Sequence, residues 1–189
     1  MDLVGYDFPS VSISMEGFAP AGPVLDIGGG GEGVIGQAVG ENVIAIDRRM
    51  DELREAPDGP RKVMMDARYL GFPDRHFPTL TAFFSFMYIP KVEDQAAVFA
   101  EARRVLQPGG IFHLWDVSLP ETPPKGTDYF VVVLQYRIRG KDTGTGYGMR
   151  WLGSQRDAAH YIALAEQVGL ACIHSEAMDH SFYLQFQKE

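Results

Sequence analysis

The sequence predicts an α/β fold built around a mostly parallel β-sheet. From Val24 onward, short apolar runs alternate with stretches of helical character. The runs consist of residues suited to strands that are buried on both faces, as strands of parallel sheets usually are. Alternation of such strands with helical crossovers indicates a parallel sheet. The predicted strands are VLDI, VIAI, VMM, LTAFF and IFHLWDV.

The segment that precedes the first strand, residues 1–23, is predicted to be an extended arm or a lid. Prolines and glycines interrupt it too often for a long helix to form. The interrupting residues are Pro9, Gly17, Pro20, Gly22 and Pro23.

Two helices are predicted in the second half of the chain. The first begins near Glu93, whose negative charge suits a helix N-terminus, and ends at QPGG, where Pro108 and the glycines cannot continue it. The second opens at Ser154 with Asp157 three residues later, which resembles a capping box, and Gly169 follows its last turn.

Two hairpins complete the predicted order of elements. In the tail, Phe182, Leu184 and Phe186 alternate with polar residues, which indicates an antiparallel hairpin at the edge of the sheet. Residues 118–152 are predicted to be an insertion near a substrate cleft, because two strand-like arms flank the sequence RGKDTGTG. A chain of 189 residues fits one domain, so residues 1–189 are expected to share a single core.

Composition excludes several classes of function. A net charge of −8 would repel a phosphate backbone, so nucleic acid is not an expected partner. No run of about 18 apolar residues predicts a membrane span, and no basic segment followed by an apolar stretch predicts a secretory signal. The single cysteine, Cys172, and the scattered histidines predict neither a disulfide nor a metal site. We therefore expect a cytoplasmic protein.

A glycine-rich stretch, GGGGEG, directly follows the first predicted strand. Gly28, Gly30 and Gly33 satisfy the pattern G-x-G-x-x-G, and Asp47 comes 19 residues after Gly28. This spacing is typical of dinucleotide sites, in which backbone approaches a pyrophosphate and the acid binds a ribose hydroxyl. A turn that binds nothing is the alternative, but four successive glycines carry a folding-entropy cost that a structural turn does not require.

Asp26, inside the strand before the glycines, favours another ligand. A carboxylate beside a pyrophosphate would be repelled by it, whereas a positively charged ligand would be attracted. Asp26, Gly28 and Gly30 form acid-x-G-x-G, and in this the chain resembles the class I S-adenosylmethionine-dependent methyltransferases. The resemblance extends from about Val24 to the C-terminus, and EARRVLQPGGIFHLWDV is also similar to the family's helix, turn and fifth strand. Glu32 departs from it, because the family's third glycine falls there.

The resemblance implies a Rossmann-like three-layer sandwich with a seven-stranded sheet, and S-adenosylmethionine as the cofactor. Asp47 would hold the ribose hydroxyls, Asp66 and Ala67 would meet the adenine, and the segment from Ser85 to Tyr88 would border the methyl donor. From the residues alone, two structural interpretations stay open: Asp47 could be an ordinary strand-end cap, and Asp66 could be a helix N-cap. The predicted cofactor-binding residues are Asp26, Gly28, Gly29, Gly30, Asp47, Arg48, Asp66, Ala67, Ser85, Phe86 and Tyr88.

The predicted activity is methyl transfer to a small-molecule acceptor. The cofactor brings an activated methyl group, so the enzyme can work without a catalytic side chain. An oxygen acceptor would also need a base, for which Asp116, Tyr147 and His113 are candidates, although His113 fits a core position better. The alternatives are an NAD-dependent oxidoreductase and a nonenzymatic S-adenosylmethionine-binding module. The acceptor and the oligomeric state, including a homodimer, are left open.

Overall fold

The computed structural model describes residues 3–124, 126–153 and 155–189. Their secondary structure comprises two β-sheets, four α-helices and a short 3-10 helix at Phe86–Tyr88. The strands are β1 Gly5–Ser14, β2 Val24–Ile27, β3 Val43–Asp47, β4 Arg61–Met64, β5 Phe77–Phe83, β6 Leu106–Val117, β7 Tyr129–Ile138, β8 Lys141–Arg150, β9 Leu170–Met178 and β10 Ser181–Lys188. The α-helices are α1 Val34–Val39, α2 Met50–Glu55, α3 Val92–Val105 and α4 Ala158–Gln167.

The larger sheet has seven strands in the order β4-β3-β2-β5-β6-β10-β9. Pairing is parallel from β4 through β6. β10 runs antiparallel to both β6 and β9. The predicted α/β fold with a mostly parallel sheet is therefore confirmed. β2 lies inside this sheet, between β3 and β5, with all four residues buried, as its continuous apolar run requires.

Helices α3 and α4 cover one face of the larger sheet. The core on this side includes Leu25, Leu80 and Leu114 of the sheet and Phe99 and Tyr161 of the helices. α3 begins one residue before the predicted Glu93. β6 follows α3 directly and contains QPGG. This segment forms an irregularity in the pairing with β5, between the pair Leu106–Phe77 and the pair Ile111–Thr79.

α4 begins at Ala158, later in the chain than the predicted Ser154. Asp157 caps it, because its side chain accepts a hydrogen bond from the His160 backbone N–H at 2.9 Å. Ser154 lies outside the described residues. No helix in the described ranges is both long and apolar enough to cross a membrane.

The opposite face of the larger sheet packs against α1 and a second sheet of order β1-β7-β8. Val24 and Trp115 of the larger sheet share a core with Phe130 and Val132 of β7 and with Ile35 of α1. The two sheets therefore enclose a second apolar core.

β1 lies within the segment predicted as an arm. It pairs in parallel with β7, from Gly5 opposite Tyr129 to Ser14 opposite Arg137. The pairing shifts register between Phe8 and Val11, next to Pro9. Proline has no backbone N–H to donate, which restricts it to edge strands and irregularities of this kind.

β7 and β8 are joined by a two-residue turn, Arg139 and Gly140. Both residues have positive φ, 50° and 77°, as a type I′ turn requires. Ile138 pairs with Lys141, so β8 begins at once. The turn is therefore shorter than the predicted RGKDTGTG, because most of that sequence belongs to β8. Its alternating glycines do not show the alternation of apolar and polar residues that indicates a strand.

Candidate active site

A cleft of about 960 Å³ opens at the carboxyl ends of β2, β3, β4 and β5. Its far wall includes Gly146, Tyr147 and Gly148 of β8. The predicted residues that line it are Asp26, Gly28, Gly29, Gly30, Asp47, Arg48, Asp66, Ala67, Ser85 and Tyr88. Phe86 instead lies fully buried among Phe99, Phe112 and Tyr161. The structure thus brings ten of the eleven predicted residues to one cavity, and places Phe86 in the core.

The glycine loop is packed so closely that side chains would not fit. A Cβ at Gly28, where φ is +76°, would lie 2.4 Å from the Ser85 Cβ. A Cβ at Gly29 would lie 2.4 Å from the Asp26 Oδ2, and one at Gly30 would lie 2.6 Å from the Glu52 Cβ. The loop therefore presents bare backbone to the cleft, which is what close approach to a ligand requires.

Asp26 lies beneath this loop and is 2% exposed. Its Oδ1 accepts a hydrogen bond from the Thr81 hydroxyl at 2.7 Å. Burial raises the pKa of Asp26 to about 7, the Thr81 hydrogen bond opposes the rise, and the charge of Asp47 adds to it. A nearby positive charge would favour the ionised form of this carboxyl group.

The raised pKa of Asp26 predicts a pH-dependent stability. The folded-state pKa of about 7 lies above the ordinary value of 3.8, so between these values the folded state binds more protons than the unfolded state, and stability falls as pH rises. Relative to Asp26→Asn, the free energy of unfolding of the wild type should fall by on the order of 1 kcal/mol per pH unit from about pH 4 to 7. Urea unfolding at several pH values measures this; parallel curves for both proteins would refute it.

Asp47 ends β3 and Asp66 follows β4, and the carboxylate of each closes a turn. The Asp47 carboxylate accepts the Arg49 backbone N–H at 2.8 Å, and the Asp66 carboxylate accepts that of Arg68 at 3.0 Å. The Arg68 guanidinium also hydrogen-bonds to Asp66 and holds its pKa below the ordinary value. Turn residues, not a helix, follow Asp66, so the helix N-cap interpretation is wrong.

The charge around the cleft is predominantly negative. Seven carboxylates but only three guanidinium groups line it within the described ranges. The carboxylates belong to Asp26, Glu32, Asp47, Glu52, Glu55, Asp66 and Asp94, and the guanidinium groups to Arg48, Arg49 and Arg68. This balance favours a cationic ligand over a pyrophosphate.

The end of β5 forms the floor of the cleft. The Ser85 hydroxyl donates to the Ile27 carbonyl at 2.8 Å, which joins the ends of β5 and β2. Phe84 has a left-handed backbone, φ +49°, held by its N–H donating to the Trp115 carbonyl at 2.8 Å. Such strain in a bulky residue is typical of functional sites. The pattern FFS in the sequence gives no indication of it, so sequence reasoning missed Phe84.

Two of the three candidate bases lie away from the cleft. Asp116 is fully buried and accepts the backbone N–H groups of Met87 and Val117 at 3.0 and 2.8 Å, and burial raises its pKa to about 7. The His113 ring bonds to the Tyr183 hydroxyl at 2.7 Å, and burial lowers its pKa to about 4. Their placement indicates structural roles.

Tyr147 does line the cleft, and it contacts the glycine loop. Burial and the Glu32 carboxylate, to which it donates a hydrogen bond, raise the pKa of the phenol. Thr145 donates a second hydrogen bond to Glu32. Glu32 therefore ties the loop to β8, which explains why a side chain stands where the resemblance places a glycine. Sequence spacing could not reveal this contact, which joins residues more than a hundred positions apart.

Comparison with known proteins gives one family match. Residues 25–114 match the family model described as a methyltransferase domain. This segment runs from β2 into β6 and contains the glycine loop, Asp47, Asp66 and Ser85. No curated protein sequence matches the chain.

Solved structures share the fold at low identity. A methyltransferase structure, CcbJ from Streptomyces caelestis, superposes with a TM-score of 0.62 at 16% identity and covers 89% of each chain. An S-adenosylmethionine-dependent methyltransferase structure from Methanosarcina mazei gives 0.61 at 15%, covering 87% of this chain and 91% of that one. The glycopeptide N-methyltransferase MtfA, in complex with S-adenosyl-L-homocysteine, gives 0.60 at 14%, covering 89% and 84%. At these identities, the likeness establishes the fold alone.

Proposed function

We propose that this chain, a class I S-adenosylmethionine-dependent methyltransferase by its domain match over residues 25–114, methylates a small molecule bound between the glycine loop and β8. The observation that carries this is the meeting of Asp26, Asp47 and Asp66, from the ends of three neighbouring strands, with the bare glycine loop in one cleft. Ligands of open α/β sheets bind at this edge.

The residues fit the cofactor. A loop in which a Cβ would clash at Gly28, Gly29 and Gly30 leaves backbone to pack against the methionine portion, and Asp47 and Asp66 offer carboxylate acceptors to hydroxyl and amino groups. The bound cofactor supplies an activated methyl group on a positively charged sulfur. The negative lining of the cleft suits that charge, whereas it would repel the pyrophosphate of NAD.

The size and surroundings of the cleft support a small acceptor. β8 closes one side, so a ligand beside the cofactor shares a cavity of about 960 Å³. The net charge of −8 opposes a nucleic-acid acceptor. One structural neighbour, MtfA, is named for the N-methylation of a glycopeptide rather than of a nucleic acid.

Calorimetric titration with S-adenosylhomocysteine tests the proposal. Asp47→Ala should weaken binding about 10-fold or more, because hydrogen bonds to a charged group contribute about 1.5 to 3 kcal/mol. Asp47→Asn keeps an acceptor for the Arg49 N–H. If Asp47→Ala and Asp47→Asn weaken S-adenosylhomocysteine binding equally, the effect is due to the lost charge.

Asp51→Asn is the matched control. Asp51 lies four residues further on, and its exposed side chain pairs with Arg49 without lining the cleft. It should bind as the wild type does. Unchanged affinity in Asp47→Ala, or binding of NADH but not of S-adenosylhomocysteine by the wild type, would overturn the proposal.

A further inference from the structure

We propose that the methyl acceptor is an amine, whose ammonium form binds the Glu32 carboxylate beside the rings of Tyr147 and Tyr88. The inference rests on the proposed function and names the acceptor class for the same cleft. It stands on the unmatched charge of Glu32, on the aromatic wall next to it and on the placement of the candidate bases.

Glu32 has no cationic partner within the described ranges. No Lys, Arg or His nitrogen there lies within 4.0 Å of its carboxylate. Its hydrogen bonds come from the neutral hydroxyls of Thr145 and Tyr147. The arginines of the cleft pair with other acids: Arg48 with Asp66, Arg49 with Asp51 and Glu52, and Arg68 with Asp66 and Asp94. The cleft therefore offers a carboxylate with spare hydrogen-bond acceptor capacity.

Two tyrosine rings lie near this carboxylate, and the Tyr147 phenol donates a hydrogen bond to it. The Tyr147 ring stacks on that of Phe84 at 5.9 Å between centroids with an interplanar angle of 25°. Tyr88 is 46% exposed and lies close enough for the Glu32 charge to help raise its pKa, although burial is the larger cause. Ring faces attract ammonium groups, and a carboxylate next to them completes a cation-binding wall. An alcohol would gain neither attraction.

The proton chemistry points the same way. The phenols of Tyr88 and Tyr147 have raised pKa values, so they stay protonated at neutral pH and serve as poor bases. His113 and Asp116 lie outside the cleft, so neither is placed to take a proton from an alcohol acceptor. An ammonium group needs only to release one proton, to Glu32 or to water. The free amine nitrogen then bonds to the methyl carbon as the carbon–sulfur bond breaks, and the sulfur keeps that electron pair.

Ligand-observed NMR titration tests the inference with two probes of one carbon skeleton, 2-phenylethylamine and 2-phenylethanol, on the protein saturated with S-adenosylhomocysteine. The amine should bind about 10-fold more tightly than the alcohol, since a charged contact replaces a neutral one. Glu32→Gln should abolish this preference. The amide oxygen of Gln can still accept from Thr145 and Tyr147, so the wall should persist while the charge is lost.

Glu16→Gln is the control for charge alone. Glu16 also holds the β7–β8 hairpin, through the Gly140 N–H at 2.6 Å, but does not line the cleft. This variant should keep the amine preference. Equal binding of both probes to the wild type, or an amine preference that survives in Glu32→Gln, would overturn the inference. If Glu32→Gln fails to fold, the comparison of the two probes on the wild type still tests the inference.

Failure of the wild type to bind S-adenosylhomocysteine would instead overturn the proposed function.

Discussion

Arg156→Ala should destabilise the protein by about 3 to 5 kcal/mol, the usual cost of removing one partner from a buried charged network. Arg156 is 1% exposed and donates to the carbonyls of Met87, Ile89 and Pro90 at 3.1, 3.0 and 2.6 Å. Its charge also lowers the pKa of Asp116, which burial raises. The variant leaves these carbonyls without that donor and Asp116 without that cation. Urea unfolding measures the loss.

The loss in Arg156→Ala should be larger at pH 8 than at pH 6. The folded-state pKa of Asp116, about 7, lies above its ordinary value, so its ionisation destabilises the folded state as pH rises. The Arg156 charge offsets part of this destabilisation, and the variant lacks that charge. Arg137→Ala is the control, because Arg137 is half exposed and pairs with Asp142 at 3.2 Å. An exposed pair contributes less than about 1 kcal/mol. Equal losses in the two variants would contradict the structural role of Arg156.

Gly28→Ala should both destabilise the protein and weaken S-adenosylhomocysteine binding about 10-fold or more. Positive φ costs a residue with a Cβ about 1 to 2 kcal/mol, and the crowding against Ser85 adds about 1 to 3 kcal/mol. Relief of the clash would displace either the glycine loop or the end of β5, and both line the cleft. Urea unfolding and calorimetric titration measure the two effects.

Gly17→Ala separates backbone strain from crowding. Gly17 has the same φ of +76°, but a Cβ there meets nothing within 4 Å. In this control, the free energy of unfolding should fall only by the backbone cost of positive φ, and S-adenosylhomocysteine should bind as it does to the wild type. In Gly28→Ala combined with Ser85→Gly, the crowding cost should disappear and the backbone cost remain. If Gly17→Ala and Gly28→Ala behaved alike, crowding at Ser85 would have no part in the effect.

The sequence predicts the sheet and most of the cleft because both depend on local patterns. Buried strands have continuous apolar runs, and residues that follow parallel strands meet at one edge. Asp26, Asp47 and Asp66 could thus be placed together. Strand alternation could also have placed Asp116 on the buried face that carries Phe112 and Leu114.

Other features depend on contacts that no local pattern encodes. β1 pairs with a strand more than a hundred residues away, and Glu32 meets Thr145 at a similar separation. The direction of each side chain in the 3-10 turn is set by its packing, which turns Phe86 into the core while Tyr88 faces the cleft. Resemblance to a family gives the segment but not these orientations.

The parallel pairing of β1 with β7 has a kinetic consequence. β1 is synthesised first, yet its partner begins at Tyr129, so the two strands cannot join until most of the chain has left the ribosome. Closing so long a loop costs entropy before any contact repays it, which slows folding. β8, which forms the far wall of the cleft, pairs with the same partner. The sheet that carries the far wall of the cleft is therefore complete only after this late pairing of β1 with β7.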